Sequence, residues 1–110
     1  MAYARGDVVL VPFPFTDLSA IRVRPAVVMS SDIFIADSRD LIVAMVTSRP
    51  QTSATDCALE DWREAGLIHP SWVRSKLATL AERLVQFSPG RLSPRDLGTV
   101  EARLRIALAL

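Results

Sequence analysis

The feature that most constrains the fold is an unbroken apolar run near the middle of the chain. Residues 41–46 read Leu-Ile-Val-Ala-Met-Val and lie between Asp40 and Thr47. Such residues favour a strand, but a strand with one solvated face would alternate apolar and polar side chains. The run therefore predicts a strand over residues 40–47 that is buried on both faces, as at the middle of a small barrel.

Shorter segments on either side predict more strands. Residues 7–11 are β-branched and apolar and precede Pro12, and residues 26–29 follow Pro25, which suits the start of a strand because no ladder donor is needed there. Weaker signals predict strands at 55–59, 72–74 and 84–87, an extended segment at 77–80, a helical turn at 33–36 and a turn at 61–66 ended by Gly66.

The last part of the chain predicts a helix. Ser93 is a suitable N-cap, Pro94 suits the first helical position, and Asp96 follows in the first turn. Four apolar residues then share one helical face, namely Leu97, Val100, Leu104 and Leu108. Many short strands followed by one helix predict a mainly β fold, a small SH3-like β-barrel with a C-terminal α-helix, as a single domain over residues 1–110.

The composition indicates the oligomeric state and the cellular location expected of such a domain. Half of the residues are hydrophobic and the mean hydropathy is +0.26, so part of the apolar surface is expected in a subunit interface. The apolar runs fall far short of the roughly 20 residues that span a bilayer, and the N-terminus lacks the pattern of a signal peptide. A cytoplasmic homo-oligomer without a membrane segment is expected.

Several kinds of site are excluded or made improbable by residue counts. Cys57 is the only cysteine and His69 the only histidine, so the chain has no intrachain disulfide and no multi-cysteine site, and we expect neither metal nor cofactor. An enzyme built from the remaining residues would rely on Arg, Ser, Thr, carboxylates and backbone groups. RNA cleavage suits that set, because the substrate's own 2′-hydroxyl supplies the nucleophile.

Two segments hold candidate functional residues, and each allows two interpretations. Arg22 and Arg24 lead into the second strand, where Arg24 is either a phosphate clamp held by Pro25 or a surface ion-pair residue. Thr47 and Ser48 end the apolar strand, where the hydroxyls either bind a ligand or hydrogen-bond the local backbone.

A third segment, residues 70–74, reads Pro-Ser-Trp-Val-Arg and joins an aromatic ring to a cation. Trp72 and Arg74 could stack on a base and contact a phosphate, or Trp72 could anchor a core or an interface. His69 could act as a base near neutral pH, although a lone histidine is more often structural.

Taken together, the segments resemble the MazF/PemK family of toxin endoribonucleases, which share the CcdB-like fold. The matching blocks run in order along nearly the whole chain: Arg5-Gly-Asp-Val-Val-Leu-Val11, Pro14-Phe-Thr-Asp17, Arg24-Pro-Ala-Val-Val-Met-Ser30, residues 42–48 ending in Thr-Ser, Ala65-Gly-Leu67, Pro70-Ser-Trp-Val-Arg74 and Gly90-Arg-Leu-Ser93. Each block is weak alone, and their shared order makes the resemblance specific.

The resemblance implies a toxin of a type II toxin–antitoxin system that acts as a homodimer. Its activity would be metal-independent, sequence-selective cutting of single-stranded RNA, through a 2′,3′-cyclic phosphate, to inhibit translation and growth. A cognate antitoxin would cover the RNA groove with a disordered acidic segment. The alternative is a non-catalytic binder on the same fold, either similar to the gyrase poisons or an inactive member.

The resemblance also assigns roles to residues. The family's catalytic arginine falls on Arg24 and its catalytic hydroxyl on Thr47, with Ser48 beside it. RNA contacts are expected from Phe15, Thr16, Asp17, Arg22 and Arg74. Some relatives carry an acid shortly after the arginine that matches Arg74, whereas here Ser75-Lys76-Leu77 follows. The general base is therefore unassigned, with Asp17 one candidate.

Overall fold

The computed structural model describes residues 3–13 and 22–110, and within them six strands form one antiparallel sheet in the order β4-β5-β3-β2-β1-β6. Two α-helices accompany it. The elements are β1 (Asp7–Phe13), β2 (Arg22–Val28), α1 (Asp32–Ser38), β3 (Asp40–Thr47), β4 (Cys57–Ala58), β5 (Trp72–Ala81), β6 (Phe87–Arg91) and α2 (Pro94–Leu108).

The predicted central strand is confirmed with its bounds, and it lies between β5 and β2. Its side chains serve two cores on opposite faces of the sheet. Val43 and Met45 belong to one core, with Ile35 of α1, whereas Ala44 and Val46 belong to the other, with Val100 of α2. Burial on both faces explains why the run does not alternate.

The sheet is strongly curled, and the turn after β4 joins its two edge strands. Ala65 and Gly66 in this turn pack directly against Pro89 and Gly90 of β6. A Cβ added to Gly90 would lie 2.7 Å from the carbonyl oxygen of Ala65, so the two backbones meet without room for a side chain. The result is the predicted small barrel in a half-open form, which the turn at residues 61–66 helps to close.

Pro12 and Pro25 lie inside strands rather than at the predicted strand boundaries. β1 continues through Pro12 to Phe13, and β2 starts at Arg22 rather than at residue 26. Pro12 lies beyond the last β1–β6 pair, and Pro25 lies before the first β2–β3 pair. Each proline therefore occupies a stretch with one neighbouring strand, where a missing N–H removes no ladder bond.

The later strands differ most from the prediction. The segments at 72–74 and 77–80 form the single strand β5, while the strand predicted at 84–87 is wrong: a 3₁₀ turn covers Glu82–Leu84 and β6 starts at Phe87. Pro89 and Gly90 obscured β6, because both residues are unfavourable inside strands. An edge strand with a close backbone approach accommodates both.

The C-terminal helix has its predicted start. The Ser93 side chain accepts a hydrogen bond from the backbone N–H of Asp96, and Pro94 begins α2. Val100 and Leu104 are buried on the sheet, and Leu97 is partly buried. Leu108 was predicted on the buried face but is half exposed, at the end of the chain where Ile106 and Leu110 are exposed as well. No helix among the described residues is both long and apolar enough to cross a membrane.

Candidate active site

The paired ends of β2 and β3 bring the two main candidate residues together. Ala26 pairs with Met45, the first pair of this ladder at that end. Two residues further along each strand, Arg24 and Thr47 are both half-buried and line the same cleft. The sequence places these residues 23 positions apart, so strand pairing alone creates their proximity.

A cleft of about 200 Å³ opens at this end of the sheet. Candidate residues from both strands line it together with the segment that follows the 61–66 turn. The lining residues are Arg24, Pro25, Val46, Thr47, Ser48, Leu67, Ile68, His69 and Ser71. The cleft thus unites the three predicted catalytic residues, Arg24, Thr47 and Ser48.

The sequence left open whether the hydroxyls at the end of β3 bond the local backbone or bind a ligand, and the geometry is compatible with both. The Thr47 Oγ1 accepts a hydrogen bond from the backbone N–H of Arg49 at 3.2 Å, as in a loop-starting turn. That bond occupies an acceptor position and leaves the hydroxyl proton for another partner. Ser48 is exposed beside it. The end of the strand therefore offers hydroxyl donors to a ligand in the cleft.

The other two predicted cationic residues lie outside the cleft. Arg22 is exposed at the start of β2, two residues before Arg24. Arg74 lies on β5, where its Nε donates to Oδ2 of the buried Asp56 at 3.3 Å. Their roles in RNA binding stay predictions, and Phe15, Thr16 and Asp17 lie outside the described residues.

Asp56 holds the predicted RNA-binding residue Arg74, and sequence reasoning missed this contact. Its other oxygen accepts from the backbone N–H of Ser75 at 3.1 Å, and the Ser75 hydroxyl donates to the carbonyl of Thr55 at 2.6 Å. These bonds hold the place where the β3–β5 register shifts, between the pairs Val46–Val73 and Ala44–Leu77. Arg74 is oriented by this irregular stretch. No sequence signal identifies a carboxylate 18 residues before its partner.

Sequence reasoning also underrated the segment of residues 67–71. Ile68 and His69 are exposed at the cleft, and Ser71 is buried below them. The lining residues that the structure describes include no carboxylate, so the cleft is formed by one guanidinium, hydroxyls, one imidazole and apolar groups. The neighbouring Gly66 and Pro70 indicate a turn in the sequence but do not reveal which strand end it covers.

Comparison with protein families gives one match over almost the whole chain. Residues 4–108 match the family described as PemK-like, MazF-like toxins of type II toxin–antitoxin systems. A search of curated protein sequences finds no match.

Solved structures of similar fold include an endoribonuclease in complex with its cognate antitoxin from a mycobacterial species. That structure has a TM-score of 0.82 and 19% identity, over 99% of this chain and 97% of the other. The Mycobacterium tuberculosis toxin MazF-mt6 gives 0.76 at 16% identity, over 94% and 97%.

MazF from Deinococcus radiodurans gives a TM-score of 0.75 at 21% identity, over 99% of this chain and 97% of the other. Structural matches at such low sequence identity support the shared fold alone. Family membership rests on the match to the family model. The chain belongs to the family of PemK-like, MazF-like toxins of type II toxin–antitoxin systems.

Proposed function

We propose that this toxin is an endoribonuclease that cuts single-stranded RNA at selected sequences, without a metal ion. The observation that carries the proposal is that Arg24, Thr47 and Ser48 line the same cleft. Solved proteins of the same fold are described as endoribonucleases, which agrees with this chemistry.

The cleavage reaction needs stabilisation of negative charge more than it needs a protein nucleophile. The RNA 2′-hydroxyl attacks the adjacent phosphorus, a bond from O2′ to phosphorus forms, and the bond to O5′ breaks. The products are a 2′,3′-cyclic phosphate and a 5′-hydroxyl. Charge builds on the phosphoryl oxygens as the reaction proceeds, and donors already placed there lower its barrier.

Arg24 is proposed as the main electrostatic group. A guanidinium presents donors in a planar fork that suits two phosphate oxygens, and a half-buried position strengthens its field by reducing solvent screening. A guanidinium does not give up its proton near neutral pH, so its role is to bind charge and not to transfer protons. Thr47 and Ser48 would donate hydrogen bonds to the same phosphate or orient the 2′-hydroxyl.

The test of this proposal is incubation of a long RNA with purified protein in EDTA. We expect the wild type to produce discrete fragments, and Arg24→Ala to cut about 10²- to 10³-fold more slowly, the cost of losing one preorganised donor. Arg105→Ala is the matched control, because it removes an exposed arginine of α2 away from the cleft. Equal cleavage by wild type and Arg24→Ala, or none by either, would contradict the proposal, and the latter outcome would favour a non-catalytic binder.

We also propose that the protein is a cytoplasmic homodimer regulated by an antitoxin. Large apolar side chains are exposed on the surface, among them Phe87, Ile106 and Leu110, which supports burial in a subunit interface. MazF from Deinococcus radiodurans has been solved together with MazE. An acidic antitoxin segment would compete with RNA for the cationic cleft.

Light scattering of the purified toxin tests the dimer, and a monomer at micromolar concentration would contradict it. If a short acidic protein is encoded next to this toxin, that protein is the candidate partner to test. Stoichiometric addition of that protein should stop RNA cleavage, and unchanged cleavage would contradict its assignment as antitoxin.

A further inference from the structure

His69 is the one histidine of the chain, and it lines the same cleft as Arg24 and Thr47. The side chain is exposed, so a ligand in the cleft can reach the imidazole. His69 lies in the connection between β4 and β5, whereas Arg24 and Thr47 lie on β2 and β3. This position adds a chemically different group to a site otherwise composed of a cation, hydroxyls and apolar side chains.

The backbone on both sides of His69 is held in place. Leu67 packs against the core, and its N–H donates to the carbonyl of Trp62 at 3.1 Å. On the other side, the buried Ser71 hydroxyl donates to the His69 carbonyl at 2.7 Å, and the Ser71 carbonyl accepts from Leu59 N–H at 2.9 Å. A group fixed in this way can be presented to a substrate in a defined place.

The proposed reaction needs a proton acceptor, and the other cleft-lining residues that the structure describes do not supply one. Guanidinium groups hold their protons near neutral pH, and serine and threonine hydroxyls are poor bases there. No carboxylate is among the cleft-lining residues in the described part of the chain. The carboxylate of Asp56, which immediately precedes β4, accepts hydrogen bonds from Arg74 and Ser75 of β5. An imidazole is the side chain that ordinarily exchanges a proton between pH 5 and 8.

We propose that His69 is the general base that takes the proton from the RNA 2′-hydroxyl, a role that rests on the proposed function. The neutral imidazole accepts this proton as O2′ bonds to phosphorus and the bond from phosphorus to O5′ breaks. The departing O5′ takes a proton from water, and the imidazolium returns its proton to solvent. Arg24 holds the phosphate charge meanwhile and is the other ionisable residue among those described as lining the cleft.

The test compares the pH dependence of single-turnover cleavage by wild type and His69→Gln. Glutamine keeps a polar side chain of similar length but cannot take up the proton. Because position 69 is exposed, we expect the substitution to leave the fold intact. We expect the wild-type rate to rise with pH and then level off, as the base loses its proton. His69→Gln should lose this rise and be slower by about 10²-fold or more, with little change in substrate affinity.

Glu64→Gln is the matched control, because it removes an exposed ionisable group from the preceding turn, outside the cleft. It should retain the wild-type rate and profile. A His69→Gln rate and pH profile equal to those of the wild type would overturn the role of His69 while leaving the proposed function intact. Absence of cleavage by the wild type would overturn both together.

A second substrate distinguishes a base from an acid. RNA with sulfur in place of the 5′-bridging oxygen has a leaving group that needs no proton, whereas its 2′-hydroxyl still needs a base. His69→Gln should remain about 10²-fold slower than wild type on this substrate. Restoration to the wild-type rate would show that His69 protonates the leaving group and would overturn its assignment as base.

Discussion

Gly66 and Pro89 meet so closely that a Cβ on Gly66 would lie 2.5 Å from the Pro89 carbonyl oxygen. Gly66 also has φ +82°, in the left-handed region that side chains rarely adopt. This contact joins the turn after β4 to the edge strand β6, and the segment that carries His69 follows it directly. Both the closure of the barrel and the shape of the cleft therefore depend on Gly66.

Gly66→Ala should destabilise the fold by about 2 kcal/mol or more, because it combines backbone strain with a clash against a backbone that cannot move alone. Gly98→Ala is the control: Gly98 lies in α2 with no atom near its would-be Cβ, so alanine should stabilise by about 0.5–1 kcal/mol. Urea unfolding of the two variants measures both effects. Equal stability of Gly66→Ala and wild type would contradict the tight contact.

Asp56→Ala should cost about 1–3 kcal/mol, because it leaves the Ser75 N–H and the Arg74 guanidinium without their buried acceptor. Asp56→Asn keeps an acceptor for Ser75 and should recover part of the loss. Hydrogen exchange should quicken locally around residue 75 in Asp56→Ala. Unchanged exchange and stability there would show that the register shift in β5 needs no carboxylate.

Asp61 should make stability depend on pH at the acid end. Hydrogen bonds from Arg95, and then from Ser93, lower the pKa of Asp61 from 3.8 to about 2. Because the folded state holds the ionised form, the contribution is present above pH 4 and is lost as pH falls towards 2. Asp61→Asn should therefore lower the melting temperature at pH 7, and the difference should disappear near pH 2.

The matched control for that series is Asp37→Asn, which changes the same charge at an exposed position of α1. Its melting curves should follow the wild type at every pH. A constant difference between Asp61→Asn and wild type from pH 7 to 2 would contradict the role of the Asp61 carboxylate.

Thr47 should contribute through its hydroxyl and not through its shape. Thr47→Ser keeps the acceptor for Arg49 N–H and a donor for the cleft, so it should retain most of the cleavage rate. Thr47→Val keeps the branched shape but loses both, and it should cut at least about 10-fold more slowly, as expected for loss of a hydrogen bond to a charged group. Equal rates for the two variants would indicate a packing role alone.

Patterns within one segment predicted their structures well. The central strand, the N-cap of α2 and the small β-rich architecture all follow from side chains that are close in sequence. Strand bounds failed at Pro12, Pro25 and Pro89, because the cost of a proline depends on whether a neighbouring strand is present at that position. Tertiary pairing decides this, and no local pattern records it.

In the candidate site, too, some residues were predicted from the sequence and others were recognised only in the structure. Family resemblance predicted Arg24, Thr47 and Ser48, and the structure brings these three to one cleft. The contact of Asp56 with Arg74 and the place of His69 depend on how distant segments pack, so sequence patterns gave little indication of either. The missing acid after Arg74 was visible in the sequence, and His69 was one possible base, but only the fold shows that His69 lines the same cleft as Arg24 and Thr47.

The most direct measurement of the central claim uses an RNA with a single 2′-deoxy substitution at the cleaved nucleotide, in EDTA. The account predicts that wild type cuts the all-RNA substrate to a 2′,3′-cyclic phosphate and a 5′-hydroxyl and leaves the substituted RNA intact at that position. Cleavage of the substituted RNA at the same bond, or fragments that carry a 5′-phosphate, would show that the 2′-hydroxyl is not the nucleophile and would contradict the mechanism.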